Sequence, residues 1–147
     1  IPLTLEYLET HGVPVIGCGQ DNFAAFYTRD SGYPADFRLD DAAAQARFIR
    51  AKWDLGLEGG VVVSTPVPEP AAMRREEMDG ITAQALAEAE SQGITGKSVT
   101  PFLLGRIKAL TGGRSLATNI ALVKHNAQVG ARLAVELARA RGSSASS

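Results

Sequence analysis

The side chains that could do chemistry are few and widely spaced. Asn119 and Asn126 stand seven residues apart, which places them on nearly the same side of a helix. Asn119 falls beside an apolar stripe, so its amide must find a hydrogen-bond partner. A carboxamide offers two donors and an acceptor, a pattern that matches the edge of a pyrimidine; a structural hydrogen bond accounts for it equally well. Gly96-Lys97-Ser98-Val99-Thr100-Pro101 is a polar loop running into a helix start. Free N–H groups there can hold an anion or a carbonyl oxygen, although an ordinary capped helix is the simpler reading. Asp40-Asp41 offers a hard cation two carboxylates, and a helix cap with a favourable dipole charge explains the same pair. Gly17-Cys18-Gly19 follows an apolar run, but Asn22 occupies the place of the third glycine in a dinucleotide fingerprint, so the stretch reads as a turn. His11 and His125 are far apart, and neither has a second ligand at metal spacing. Arg74-Arg75-Glu76-Glu77 reads as a solvated helix face. No nucleophile stands beside a base, and no two carboxylates are close enough to share acid–base work.

The elements that must position these groups can be read from periodicity and breakers. Leu3 to His11 is a short helix closed by Gly12. Val13 to Ile16 is a buried strand that tolerates proline near its start, and Phe23 to Tyr27 is a second candidate strand. Arg29 to Phe37 is turn-rich. Asp40 is expected to cap a helix with the stripe Ala42, Ala46, Ile49 and Trp53, leaving Lys52 exposed; Gly56 ends it. Val61-Val62-Val63 lacks polar alternation, as in a strand covered on both faces. Pro66 and Pro68 force an extended connection. A helix is expected from about Pro70 to Gln92, with Met78, Ile81, Ala85 and Ala89 inward. Thr100 and Pro101 read as N-cap and first helical residue, and Leu103, Ile107 and Leu110 form the buried side of that helix. Ser115 is expected to cap the last helix, with Leu116, Ile120, Val123, Ala127, Ala134 and Leu137 facing inward. Residues 142–147, Gly-Ser-Ser-Ala-Ser-Ser, have nothing to bury and read as a disordered tail.

This alternation argues for an α/β fold, helices packed on a mainly parallel sheet, over residues 1–141 as one unit. Only two or three strands are convincing, so the sheet reads as part of a larger one. The chain also opens on Ile1-Pro2-Leu3 and runs straight into a helical pattern, as though cut from something longer. With 147 residues, 45% hydrophobic and 21% charged, it can bury a real core. A net charge of −1 gives no field to attract nucleic acid or an anionic membrane. One cysteine, Cys18, fits a reducing compartment. No apolar run is long enough to span a bilayer, and a soluble cytoplasmic protein is expected.

Several stretches, taken in order, resemble the pseudouridine-5′-phosphate glycosidase family, also called indigoidine synthase A-like. They begin with Thr4-Leu5-Glu6-Tyr7-Leu8-Glu9-Thr10, Gly12-Val13-Pro14, Ala25-Phe26-Tyr27 and Arg38-Leu39-Asp40. Next come Lys52-Trp53, Leu57-Glu58-Gly59-Gly60-Val61-Val62 and Pro66-Val67-Pro68-Glu69. The most specific are Gly96-Lys97 with Thr100-Pro101-Phe102-Leu103-Leu104, then Leu110-Thr111-Gly112-Gly113, and Ser115-Leu116 with Asn119-Ile120. The resemblance is colinear from about Ile1 to Ala138.

It implies a three-layer α/β/α architecture and a homotrimer. The implied reaction is reversible and manganese-dependent: the C–C glycosidic bond of pseudouridine 5′-phosphate splits to uracil and ribose 5-phosphate. In that family a lysine amine forms an imine with C1′ of the ring-opened sugar, a glutamate moves protons and an aspartate places the metal. By alignment all three lie upstream of Ile1, so the manganese ligand is expected there, the segment's own N-terminal half is an expected partner, and this segment alone is expected to be inactive. Asn119 matches the family asparagine that hydrogen-bonds the uracil base, and Thr100 and Pro101 match the pocket wall before the penultimate helix. Val99 stands where many members have serine, and Lys124-His125 replaces a more apolar pair one turn beyond Asn119. Two rival expectations stand beside this: a non-catalytic binding or assembly module of the same fold, and an enzyme of a pigment pathway acting on a related phosphorylated pyrimidine.

Overall fold

The computed structural model describes the backbone of residues 1–144 and the side chains of residues 1–140. Its elements are α1 (Pro2–Thr10), β1 (Val15–Gly17), β2 (Asn22–Ala24), β3 (Asp30–Pro34), β4 (Phe37–Arg38), α2 (Ala42–Asp54), β5 (Val62–Ser64), α3 (Arg75–Ser91), α4 (Val99–Leu110) and α5 (Arg114–Ser144). Short 3-10 turns occupy Glu69–Ala71 and Gly96–Ser98. The main sheet has three parallel strands in the order β4-β1-β5, pairing Ile16 with Phe37 on one side and Val63 on the other. This is the expected α/β class. The central strand is apolar and buried, Val15 and Ile16 included, because both its faces and both its edges are covered.

β2 and β3 pair as a separate antiparallel hairpin, so the turn-rich stretch from Arg29 to Phe37 also holds a strand. The turn residues are absorbed into the strand. The Asp30 carboxylate accepts from the Gly32 N–H at 2.6 Å, and the buried Ser31 hydroxyl donates to the Phe23 carbonyl at 2.6 Å. Pro34 ends the strand, where its missing N–H costs least. At the end of β1, Gly17 is required by a close approach: a Cβ there would lie 2.2 Å from the Gln20 carbonyl oxygen.

Several helix boundaries shift for identifiable reasons. Asp41, not Asp40, caps α2, its carboxylate accepting from the Ala44 N–H at 2.7 Å. Asp40 is taken by Arg38, at 2.8 Å. Lys52 is buried, 8% exposed, while Trp53 is half exposed, the reverse of the expected stripe. The Lys52 ammonium donates to three consecutive carbonyls, Leu57 (3.0 Å), Glu58 and Gly59 (3.2 Å), which holds the turn between α2 and β5. α3 starts at Arg75 rather than Pro70, because Ala72 and Arg74 are extended after the 3-10 turn. α4 is capped at Ser98, which makes no side-chain cap bond, so Thr100 and Pro101 lie inside its first turn. Proline is tolerated there because first-turn N–H groups have no intrahelical partner.

α5 departs most from expectation. Ser115 lies inside its first turn and is buried, its N–H donating to the Thr111 hydroxyl at 3.2 Å. The inward face is Ser115, Thr118 and Leu122, whereas Leu116, Ile120 and Val123 are 42%, 48% and 60% exposed. The polar side turns inward because the start of α5 docks on the connection after β5: the Thr118 hydroxyl donates to the Ala71 carbonyl at 2.7 Å. The helix reaches Ser144, three residues into the stretch assigned to a tail; residues 145–147 lie outside the described residues. Farther along, α5 packs on α2, and α3 packs on α4. A cluster of Met73, Met78, Ala85 and Ile107 fills the space under α3 and α4, with Tyr27, Ile81, Leu103 and Leu110 packed against it.

Candidate functional site

Asn119 lies in the second turn of α5, partly buried, on the wall of a pocket of about 240 Å³. The other walls are Tyr27, Leu104, Gly105, Lys108, Ser115 and Leu116. Two local features bring α4 and α5 together there. Gly112 and Gly113 take positive φ (58° and 85°), and the Gly113 N–H closes on the Lys108 carbonyl at 2.9 Å, which ends α4 within one turn. The Thr111 hydroxyl then donates to the Ile107 carbonyl at 2.9 Å and accepts from Ser115, so the last turn of α4 and the first of α5 share one buried side chain.

Tyr27 reaches the pocket from the far side of the chain by way of the segment after β5. The Met73 N–H donates to the Tyr27 carbonyl at 2.9 Å, and the Arg29 guanidinium donates to the Val67 carbonyl at 2.8 Å. Thr118 hangs on the same segment, so Tyr27 and α5 are registered against a common support. Burial pushes the Tyr27 phenol above its ordinary value of 10.0, so the ring presents a neutral O–H. Among the described residues, no hydrogen bond or ion pair engages the side chains of Asn119, Tyr27 or Lys108.

Thr100 and Pro101 do not line this pocket. Both are exposed, one turn ahead of Leu104 and Gly105 on the same helix face. Asn126 is exposed farther along α5. The sequence did not single out Tyr27, Gly105 or Lys108. Tyr27 sits in the Ala25-Phe26-Tyr27 stretch, and Leu104 and Lys108 share the four-residue spacing of one helix face, the signals that could have found them.

The other candidates resolve into structure. His11 ends α1 with its ring 4.3 Å from that of Tyr7. Gly17-Cys18-Gly19 forms a turn in which the Cys18 N–H still pairs with the Ser64 carbonyl, at 3.0 Å. Glu77 does not simply face solvent; it pairs with Arg114 and joins α3 to the start of α5. Asp40 and Asp41 are engaged as described. Among the described residues, no group of three or more His, Cys, Asp or Glu side chains is placed to hold a metal ion, so nothing in these walls fits manganese. A second pocket of about 380 Å³, between Phe37, Phe48, Leu55 and Leu57, is almost wholly apolar. Two charged residues, Lys52 and Glu58, also line it, and the Lys52 ammonium is engaged by carbonyls.

Fold and pocket together define an α/β unit on a parallel sheet, with a small pocket between its last two helices lined by an amide, a phenol and an ammonium. The chain belongs to the indigoidine synthase A-like protein family, whose profile matches residues 1–136. A pseudouridine-5′-phosphate glycosidase of Cupriavidus pinatubonensis is 77% identical over 140 residues, covering 95% of this chain and 45% of the relative. One from Geobacillus kaustophilus is 59% identical, covering 92% and 45%. The chain thus spans about half the length of the relatives it matches. Among solved structures, the prealnumycin C-glycosynthase AlnA in complex with ribulose 5-phosphate superposes with a TM-score of 0.88 at 32% identity, covering 97% of this chain and 47% of that one. An indigoidine synthase A-like protein of Thermotoga maritima gives a TM-score of 0.77 at 30% identity, covering 91% and 44%.

Proposed function

We propose that this chain forms the base-side part of an enzyme that cleaves the C–C glycosidic bond of pseudouridine 5′-phosphate to uracil and ribose 5-phosphate. The observation that carries this is the 77% identity to a relative of that name across almost the whole chain. The chain's own contribution is the Asn119 pocket. A carboxamide can donate to a uracil carbonyl and accept from a ring N–H. Placed there before the reaction begins, it also steadies the charge that develops on the leaving base as the bond breaks. Thr100 and Pro101 extend the same wall by one turn of α4.

The remaining groups come from the resemblance and lie in the upstream part of such an enzyme: the lysine that forms the imine, the glutamate that moves protons, and the aspartate that places manganese. We therefore assign no metal ligand to this chain. A homotrimer and a cytoplasmic setting complete the reading; for the latter, the supporting fact is that no described helix is long and apolar enough to cross a membrane.

The test joins the chain to the upstream part of the C. pinatubonensis relative and assays uracil release from pseudouridine 5′-phosphate with manganese. The chimera is expected to release uracil and the chain alone to release none. No release from a folded chimera would overturn the reading in favour of a binding or assembly module. The likeness to a C-glycosynthase favours one second reading, C–C coupling of a related ring to a sugar phosphate; a chimera that forms such a bond but never cleaves pseudouridine 5′-phosphate would select it.

A further inference from the structure

The pocket beside Asn119 has features that a hydrogen-bonding wall alone does not require. Its volume, about 240 Å³, is ample for one planar ring. One wall is the Tyr27 side chain, an aromatic surface fixed from behind by the Met73–Ile107 cluster and, through its backbone, by Met73. Another is Gly105, in the interior of α4, where glycine is the poorest helix former after proline. A Cβ at Gly105 would meet nothing within 4 Å, and its φ is not positive. Neither backbone conformation nor tight packing therefore requires a glycine here. What it leaves is open space on a wall of the pocket that Tyr27 also lines.

We infer that Tyr27 and Gly105 determine which base is accepted: the Tyr27 ring is the surface on which a single planar ring lies, and the missing side chain at Gly105 is the space it occupies. Asn119 then reads the edge of that ring while Tyr27 holds its face. Aromatic side chains hold nucleic-acid bases by stacking in many unrelated folds, with little demand on the base's hydrogen-bonding pattern. That division of labour makes the ligand a single planar ring with a donor–acceptor edge, as a pyrimidine has. This inference rests on the glycosidase reading above and adds two residues to it.

The experiment uses the chimera and measures inhibition by each product separately. Tyr27→Leu keeps bulk and apolarity but removes the ring; Gly105→Leu fills the space with a better helix former. Both are expected to weaken inhibition by uracil about tenfold or more, while inhibition by ribose 5-phosphate moves less than about twofold. Tyr27→Phe, which restores the ring, is expected to recover most of the uracil affinity lost in Tyr27→Leu. A merely structural role would lower the melting temperature and move both inhibitors together. Uracil inhibition unchanged in both leucine variants, or both products weakened alike, would overturn the inference while leaving the glycosidase reading intact. If Tyr27→Leu does not fold, Gly105→Leu decides alone, since nothing packs where its side chain would go. A wild-type chimera that releases no uracil would overturn the reading and this inference with it.

Discussion

Asn119 carries the sharpest single-residue expectation. Its amide has no described partner inside the protein, so removing it leaves no buried group stranded. Asn119→Ala is expected to keep the fold, with a melting temperature close to that of the parent, and to lower uracil release by the chimera about 10²-fold or more, the scale seen when one preorganised donor is lost. Near-parental turnover would remove Asn119 from the reaction. Lys52 makes the opposite case. Its buried ammonium satisfies three carbonyls of the exposed turn after α2, so Lys52→Met keeps the stem and removes their shared donor. A loss of about 1–3 kcal/mol is expected in urea unfolding. Unaltered stability would mean that water reaches the turn.

Between elements, the ion pairs give a pH signature. Glu88 is held below its ordinary value of 4.5 first by its hydrogen bond to Arg106 and then by Gln84. Glu77 is held down in the same direction by Arg114. A carboxylate with a lowered folded value stabilises the fold at pH above its unfolded value, and that contribution fades as pH falls through the folded value. Glu88→Gln is therefore expected to melt lower than the parent at neutral pH, with the gap closing as the pH drops below the ordinary carboxylate range. A gap independent of pH would show that shape, not charge, joins α3 to α4. The two faces of α5 make a second comparison. Leu122 is inward and Ile120 is half exposed, so Leu122→Ala should cost about 2–5 kcal/mol and Ile120→Ala under about 0.5, both read from urea melts of the chain. Equal costs would return the stripe to the inside of this unit.

Much of the molecule could be read before its structure was known, and the failures share a cause. Helix ends written in glycine (Gly12, Gly56) fell where the sequence placed them, because positive φ is a property of one residue. The apolar strands at Val15 and Val62 did so as well. What failed was the assignment of faces and caps, which depends on partners. Periodicity found a helix at Leu116–Leu137 and placed Ala134 and Leu137 on the side that meets α2, but it chose the wrong side for Leu116, Ile120 and Val123, since a row of leucine and isoleucine says only that something must cover it, not that this chain does. Lys52 was placed in solvent for the same reason: carbonyls five to seven residues away in a turn leave no mark on a pattern of apolar residues. Asn119 was visible because a polar group beside an apolar stripe is anomalous. Tyr27 was not, because an aromatic residue in an apolar stretch looks like ordinary core.

At the scale of the whole molecule, the exposed row of α5 and the small sheet leave apolar side chains and strand edges uncovered. β4 and β5 are the edges of a three-stranded sheet, and an unpaired edge strand invites another strand. Leu104 and Leu116 line the Asn119 pocket, Ile120 and Val123 follow Leu116 on α5 at helical spacing, and all four are exposed, a row of the kind that marks an interface. The relatives are about twice as long as the matched region, so they possess a further part able to cover it. The chain on its own is accordingly expected to bind a hydrophobic dye and to melt broadly, whereas the chimera should bind little dye and melt sharply at higher temperature. Ile120→Asn should scarcely alter the melting of the chain alone, where that side chain already meets water, yet should lower the melting temperature of the chimera by several degrees. If the substitution affects neither, the row faces solvent in the longer protein too, and the cover over the pocket must be sought along β4 or β5 instead.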